Sequence, residues 1–197
     1  CNLAIFIVKY SYIFWKVVVM SKPICEDFNF LKGKIKIHPT TGVKLEYLDK
    51  SNAVCIILFN NTLSKVLLVE QYRPGVDGNT FENVAGLIDL GENPVDAVKR
   101  ELKEETGYSF EDISDFMEYK EGLPVSPGYT TEKLYFYAAR LKSDDILPGK
   151  TNFDEGEDIL SHWIDIDKVE DYVTDLKTLF SISYFLPKFK EVFNGND

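Results

Sequence analysis

Three glutamates spaced like one face of a helix are the residues of this sequence best suited to chemistry. Glu101, Glu104 and Glu105 stand at i, i+3 and i+4, so an α-helix places their carboxylates side by side. Like charges at that spacing repel, and a position near the helix C-terminus opposes the helix dipole. A divalent cation reverses both penalties. Carboxylate oxygens suit Mg²⁺ or, as a substitute, Mn²⁺, which also hold substrate phosphates.

Sequence signals on both sides of these glutamates predict a single helix. Asn93 is a favourable N-cap, Pro94 tolerates the first helical position because its missing N–H is not needed there, and Gly107 suits the C′ position. A simpler interpretation of such a charge run is a solvated acidic face. An apolar stripe at helical spacing would face a core; it consists of Val95, Val98 and Leu102.

Composition limits the class of protein. The 197 residues are 45% hydrophobic and 14% aromatic, which is enough for one compact domain with a sizeable core. The formal net charge of −10 argues against binding of nucleic acid or of an anionic membrane through a basic surface. An anionic small molecule remains compatible with this charge if a metal ion and local arginines neutralise it.

The cysteines and histidines do not form a recognisable site. Cys1, Cys25 and Cys55 are odd in number and lack CxxC spacing, so we interpret them as free thiols in a reducing compartment and expect a cytoplasmic protein. His38 and His162 stand far from any candidate nucleophile. We therefore expect both histidines to be structural.

Residues 1–19 form a strongly apolar segment ahead of Met20. Lys9 and Lys16 make this segment a poor membrane span, and neither a basic start nor a small-residue cleavage site marks it as a secretory signal. We expect an extension outside the fold, with the natural protein beginning at Met20. A membrane anchor or targeting segment is the alternative interpretation.

The hydrophobic patterns predict an α/β protein with two parts. Residues 20–50 predict a small antiparallel β subdomain, which would be marginal alone and would need a partner surface. Residues 51–197 predict an α/β/α sandwich around a mixed sheet, because strands and helices follow one another along the chain. The predicted strands are 28–30, 34–38, 43–47, 54–59, 65–69, 133–139 and 161–164, and the predicted helices are 94–106, 167–173 and 176–193.

Two further charged residues precede the acidic helix. Arg73 follows a predicted strand close to the expected metal site, where its guanidinium could clamp a phosphate through two hydrogen bonds. A surface salt bridge is the alternative for this arginine. Glu82 is interpreted either as an additional acidic group near the metal or as a hydrogen-bond acceptor for substrate.

The stretch from Gly86 to Tyr108 resembles the Nudix box, G-x5-E-x7-R-E-U-x-E-E-x-G-U, in which U is a bulky apolar or aromatic residue. It fills the box without a gap, and Tyr108 is the least strict match. Within the Nudix family the chain resembles the ADP-ribose (ADP-sugar) pyrophosphatases. The segments that carry this closer resemblance are Gln71–Pro74, Glu82–Gly86, Pro124, Ser126–Glu132 and Asp154–Ile159.

The resemblance implies a role for each candidate site residue. Glu101, Glu104, Glu105 and the backbone carbonyl of Ala85 would bind Mg²⁺. Arg100 would orient these carboxylates, and Glu157 would position or deprotonate the attacking water. The residues that would contact substrate are Arg73, at the diphosphate, together with Glu82, Gly128 and Glu132.

The same resemblance implies a reaction and an assembly. ADP-ribose and water would give AMP and ribose 5-phosphate. Relatives acting on GDP-mannose or UDP-sugars share much of the pattern, and a dinucleotide is a further alternative substrate. A non-catalytic ADP-ribose sensor would be expected to have lost box carboxylates, which this chain keeps. The N-terminal sheet would pack across a two-fold axis in a homodimer, with neither nucleic acid nor a membrane as partner.

Overall fold

The computed structural model describes residues 31–194. The predicted strand at 28–30 and the segments 1–19 and 20–30 lie outside these residues. The described strands and helices are β1 (Lys32–Ile37), β2 (Lys44–Asp49), β3 (Ala53–Phe59), β4 (Lys65–Arg73), β5 (Gly78–Glu82), β6 (Val84–Leu87), α1 (Pro94–Thr106), β7 (Ile113–Glu118), β8 (Leu123–Pro124), β9 (Lys133–Leu141), β10 (Leu160–Asp165) and α2 (Leu176–Asn194), with 3₁₀ helices at Phe110–Asp112 and Ile166–Asp171.

A mixed sheet forms the centre of the fold. Its main path runs β10-β4-β3-β9-β7, with β5 paired to β4, β6 to β3 and β8 to β9. The β3–β9 pair is parallel and the other named pairs are antiparallel. All seven side chains of β3 are buried, as expected for a strand covered on both faces. The prediction of a mixed sheet is confirmed.

One hydrophobic core lies on each face of this sheet. On one face α1 contributes Val98 and Leu102 to a cluster with alternate residues of β3. On the other face α2 contributes Phe185 and Phe189 to a second cluster, which also contains the intervening β3 residues. Side chains of one strand alternate between faces, so β3 serves both cores. The result is the predicted α/β/α sandwich.

Helix α1 begins and ends where its sequence signals predict. The Asn93 side chain accepts a hydrogen bond from the Asp96 backbone N–H, and Gly107 has a left-handed φ of 77°. Helix α2 spans Leu176–Asn194, close to its prediction. The predicted helix at 167–173 is a shorter 3₁₀ helix, Ile166–Asp171. Within residues 31–194, no helix is both long enough and apolar enough to span a bilayer.

The small antiparallel sheet is also present. Strands β1 and β2 pair through six residues each, joined by a turn in which His38 Nδ1 accepts the Thr40 and Thr41 backbone N–H groups. All six residues of β1 are exposed. At its end, the Leu48 N–H donates to the Tyr129 carbonyl and the Thr131 N–H donates to the Leu48 carbonyl. The hairpin is thus fastened to the loop before β9.

Candidate active site

Arg100 organises the carboxylates on and beside α1. Its Nη1 donates to Glu101 Oε1 at 2.6 Å and to Glu104 Oε2 at 3.2 Å. Its Nε and Nη2 donate to the two oxygens of Glu92 at 3.0 and 2.9 Å, and Nη2 also donates to the Leu87 carbonyl. The Glu92 hydrogen bonds come first among the causes that raise the pKa of Arg100. One guanidinium therefore holds three carboxylates in place.

Glu105 is the unsatisfied member of the cluster. The residue is only 3% exposed, and within residues 31–194 its Oε2 has no hydrogen-bond partner. Burial, followed by the negative charges of Glu101 and Glu157, raises the pKa of Glu105 well above its ordinary value. A hydrogen bond from the Ala85 backbone and the charge of Arg73 offset this only in part. A buried oxygen of this kind costs free energy until a cation or proton reaches it.

Gly86 gives the cluster its room. A Cβ atom built on Gly86 would lie 1.9 Å from Glu101 Cδ, so only glycine lets the Glu101 carboxylate approach the β6 backbone. Burial is the largest cause that raises the pKa of Glu101, and the charges of Glu104 and Glu157 raise it further. Arg100 acts against this rise. The packing of α1 on β6 thus places the Glu101 and Glu105 carboxylates next to the Ala85–Gly86 backbone.

Glu157 reaches the same cluster from a long loop. The loop lies between β9 and β10 and is bonded to the C-terminal turn of α1: the Gly149 N–H donates to the Gly107 carbonyl and the Asn152 N–H donates to the Glu104 carbonyl, both at 2.9 Å. Glu157 Oε2 accepts the Asp154 N–H at 3.0 Å. The charge of Glu157 raises the pKa of both Glu101 and Glu105, so Glu157 lies within electrostatic range of these two carboxylates.

Arg73 lies at the edge of this site in a two-point ion pair with Glu82. Arg73 Nε and Nη2 donate to the two Glu82 oxygens at 2.8 and 2.6 Å. Burial acts to raise the pKa of Glu82, but the Arg73 hydrogen bonds and the charge and hydrogen bond of Lys177 outweigh it and lower the pKa to about 2. The Glu82 side chain is 5% exposed and that of Arg73 is 40% exposed. The Arg73 guanidinium is therefore partly open to solvent, and its charge acts on Glu105.

The other two predicted substrate residues lie in the loop before β9. Glu132 accepts a hydrogen bond from Lys50 Nζ at 2.7 Å. A Cβ atom added at Gly128 would meet no heavy atom within 4 Å, so the space beside this glycine is open. Within residues 31–194 the structure gives neither residue a contact with the α1 carboxylates. Both remain predictions for substrate contact.

Comparison with known proteins identifies the family. Residues 49–184 match the NUDIX domain, a match that covers more than half of the chain and contains all the residues of the candidate site, from Arg73 to Glu157. The chain belongs to the Nudix family.

Proteins similar to this Nudix protein are named either as a dehydrogenase activator or as pyrophosphatases. It is 31% identical over 146 residues to a methanol dehydrogenase activator of Bacillus methanolicus, covering 72% of this chain and 75% of that protein. It is 34% identical over 105 residues to a GDP-mannose pyrophosphatase of Yersinia enterocolitica, covering 50% and 52%, and 33% identical over 128 residues to one of Salmonella arizonae, covering 62% of each. The chain thus spans about half to three-fifths of these two pyrophosphatases.

A solved structure shares the fold. The crystal structure of an ADP compounds hydrolase superposes with a TM-score of 0.61 over 99% of this chain and 95% of its own, at 19% identity. At that identity the similarity concerns the fold, and it confirms the Nudix-type sandwich.

The donor set of the Nudix box fits a hard divalent cation. Within residues 31–194, no three acidic, histidine or cysteine side chains are grouped so as to hold a metal ion, and Glu101 and Glu104 are ion-paired with Arg100. The buried, unpaired Glu105 oxygen is a negatively charged ligand without a competing partner among the described residues. All nearby donors are oxygens, as Mg²⁺ prefers. Mg²⁺ would be held by Glu101, Glu104, Glu105 and the Ala85 carbonyl.

Sequence reasoning missed several partners in this Nudix site. It did not predict the ion pair between Glu92 and Arg100, although the fixed spacing of these two residues in the box could have suggested it. It also missed Lys177, Asp175 and Thr80 around Glu82. Lys177 follows Glu82 by 95 positions, and no local pattern connects residues so far apart.

Proposed function

We propose that this Nudix protein hydrolyses the diphosphate bond of a nucleoside diphosphate sugar with Mg²⁺ as cofactor, Mn²⁺ substituting. The preferred substrate in this proposal is ADP-ribose, which with water gives AMP and ribose 5-phosphate. The observation that carries the proposal is the buried, unpaired Glu105 carboxylate, on which the negative charges of Glu101 and Glu157 and the positive charge of Arg73 all act. A site of this composition suits a divalent cation together with a polyanion.

The protein residues divide the work of the proposed reaction. Bound Mg²⁺ would neutralise the diphosphate and acidify a bound water. Arg73 grips a phosphate oxygen through the guanidinium edge that Glu82 leaves open. Glu157 positions the attacking water and accepts its proton while the P–O bond to the leaving phosphate breaks. Arg100 holds Glu101 and Glu104 in place, so that these carboxylates need little reorganisation before reaction.

GDP-mannose is the second candidate substrate. Two relatives that are 33–34% identical are named GDP-mannose pyrophosphatases, and the box carboxylates serve any diphosphate equally. UDP-sugars and dinucleotides follow as further alternatives, and an ADP-ribose-binding sensor is the non-catalytic one. The complete set of box carboxylates favours an enzyme over a sensor.

The proposal includes a homodimer in a reducing, cytoplasmic location. Ile35 and Ile37 of the β1–β2 hairpin are 59% and 58% exposed, and a second copy would cover such apolar side chains. Cys55 is a free thiol, which is consistent with a reducing compartment.

A substrate panel tests the proposed function. Purified protein is incubated with ADP-ribose, GDP-mannose, a UDP-sugar and a dinucleotide, and products are followed by chromatography with Mg²⁺, with Mn²⁺ and with excess EDTA. We expect nucleoside monophosphate and sugar phosphate to appear only with metal, with the highest kcat/KM for ADP-ribose. A higher kcat/KM for GDP-mannose than for ADP-ribose would make GDP-mannose the preferred substrate. Tight ADP-ribose binding without products would indicate a sensor.

A further inference from the structure

A buried charged cluster links the start of α2 to Arg73. Lys177 Nζ donates to Glu82 Oε2 at 2.5 Å and to Asp175 Oδ2 at 2.9 Å. The same Glu82 oxygen accepts Arg73 Nη2 at 2.6 Å. The Lys177, Glu82 and Asp175 side chains are 15%, 5% and 21% exposed. Lys177, Glu82 and Asp175 are therefore held together with little access of solvent, and the more exposed Arg73 completes a cluster of two cations and two carboxylates.

Helix α2 keeps this cluster in position. Asp175 Oδ2 accepts hydrogen bonds from the Thr178 backbone N–H and hydroxyl, as an N-cap does. The Thr178 hydroxyl oxygen accepts the Asn83 N–H at 2.8 Å, and the Asn83 side-chain amide donates to Ser181. Asn83 directly follows Glu82 and is fully buried. The first turn of α2 is thus bonded to the segment that leads into Ala85.

Charge counting shows what Lys177 does for Arg73. Glu82 fixes the guanidinium plane of Arg73 through two hydrogen bonds, but on its own it would also cancel the positive charge that a diphosphate needs. Lys177 compensates the charge of Glu82, and Asp175 offsets Lys177. The cluster of Arg73, Lys177, Glu82 and Asp175 is therefore neutral in total. Loss of the lysine charge would leave it at −1 beside an already acidic site.

We propose that Lys177 is a positioning residue for substrate binding, which holds Glu82 and compensates its charge so that Arg73 presents a fixed, positive guanidinium edge to the diphosphate. This inference rests on the proposed function, in which Arg73 binds the diphosphate. Asp175 acts in the opposite direction, because its negative charge offsets the positive charge of Lys177. The two residues should therefore affect substrate binding in opposite directions.

Two variants of opposite charge test the inference. The Lys177→Met variant should raise KM for the best substrate, and Kd for ADP measured calorimetrically with Mg²⁺, about tenfold, because one unit charge is lost near the phosphate site. Asp175→Asn, which keeps an N-capping side chain, should lower both about threefold. In each case kcat should change less than KM, and the effect on Kd should shrink in high salt.

Controls separate charge from anchoring. Lys168→Met removes an exposed lysine that also pairs with an aspartate, Asp165, and should leave KM and Kd unchanged. Lys177→Arg keeps the charge and should bind ADP more tightly than Lys177→Met. A purely structural anchor predicts that Lys177→Met and Asp175→Asn weaken binding alike, and that result overturns the inference, as does a Lys177→Met value within twofold of wild type.

The readouts keep this inference distinct from the proposed function. Wild-type turnover on the panel decides the function, whereas Kd for ADP is measured without turnover. If Lys177→Met fails to fold, Asp175→Asn decides alone, and a Kd at or above the wild-type value overturns the inference.

Discussion

Glu105 illustrates how a single residue can be unfavourable for the fold and useful for the site. Its carboxylate is buried next to Glu101 and Glu157 with one oxygen unpaired. Burial of a carboxylate without a partner costs stability, and nearby negative charges add to that cost. A bound cation would remove both penalties. Stability and activity should therefore respond in opposite ways to a change at this position.

The Glu105→Gln variant should be more stable than wild type in EDTA yet almost inactive. Because the folded-state pKa of Glu105 is raised, wild type loses stability as pH rises from the ordinary value of 4.5 through that raised pKa. Glutamine lacks this loss, so the free energy of unfolding near pH 8 should rise by about 1–2 kcal/mol. Urea unfolding at pH 5 and pH 8 measures the stability, and kcat should fall by about three decades or more.

Arg140→Gln serves as a control for this prediction, because Arg140 pairs with Asp115 away from the carboxylate cluster. It should keep near-normal kcat. Near-normal turnover by Glu105→Gln would refute the metal assignment of this residue. Equal free energies of unfolding for wild type and Glu105→Gln at both pH values would refute the claim that the buried Glu105 carboxylate destabilises the fold.

At the scale of elements, the acidic helix and the loop of Glu157 are hydrogen-bonded to each other. The loop is bonded to carbonyls of the last turn of α1, at Glu104 and Gly107. A Cβ atom on Gly107 would lie 2.3 Å from the Gly149 carbonyl oxygen, and one on Gly149 would lie 3.2 Å from the Gly107 carbonyl oxygen. The two glycines therefore allow the loop backbone to approach the helix end closely.

The Gly149→Ala variant should displace this loop by a few tenths of an ångström and lower kcat about tenfold, since small misplacements of catalytic groups are costly. KM and the melting temperature should change little, because Arg73 and both cores are untouched. The matched control is Gly75→Ala, where an added Cβ meets no atom within 4 Å. Equal kcat values for the two variants would show that loop position does not limit the reaction.

At the scale of the whole molecule, charge and apolar exposure are unevenly distributed. Residues 31–50 carry five lysines and two acidic residues, a net charge of +3, whereas the whole chain carries −10. Ile35 and Ile37 alternate with lysines along β1, so they lie on one face of the hairpin. Such a basic, partly apolar hairpin would complement the acidic remainder of a second copy, as the proposed homodimer requires.

The double variant Ile35→Ser/Ile37→Ser should shift the protein from dimer to monomer, because it removes the apolar side chains that a second copy would bury. Light scattering after size-exclusion chromatography at several concentrations measures the mass. The single variant Val76→Ser removes another exposed apolar residue, 66% exposed, and should remain dimeric. A wild-type mass of one chain at all concentrations would contradict the homodimer.

Local signals in the sequence determined much of this protein. The caps at Asn93 and Gly107, the apolar periodicities and the i, i+3, i+4 spacing of the box glutamates each involve residues that are only a few positions apart. Such interactions hold wherever the segment sits, so α1, the central strands and the carboxylate face were all predictable. The shortened helix at Ile166–Asp171 was not predicted accurately, because its hydrophobic pattern does not distinguish a 3₁₀ helix from an α-helix over six residues.

Tertiary structure alone decided which distant groups meet. Lys177 meets Glu82 across 95 positions, and Gly149 meets Gly107, because the sheet and two packed cores bring those segments together. The buried state of Glu105 depends in the same way on how α1 packs against β6. Sequence spacing states which side chains share a face of one element, but it contains no information on which other element covers that face. Packing of remote segments supplies that information, and with it the charge balance of the site.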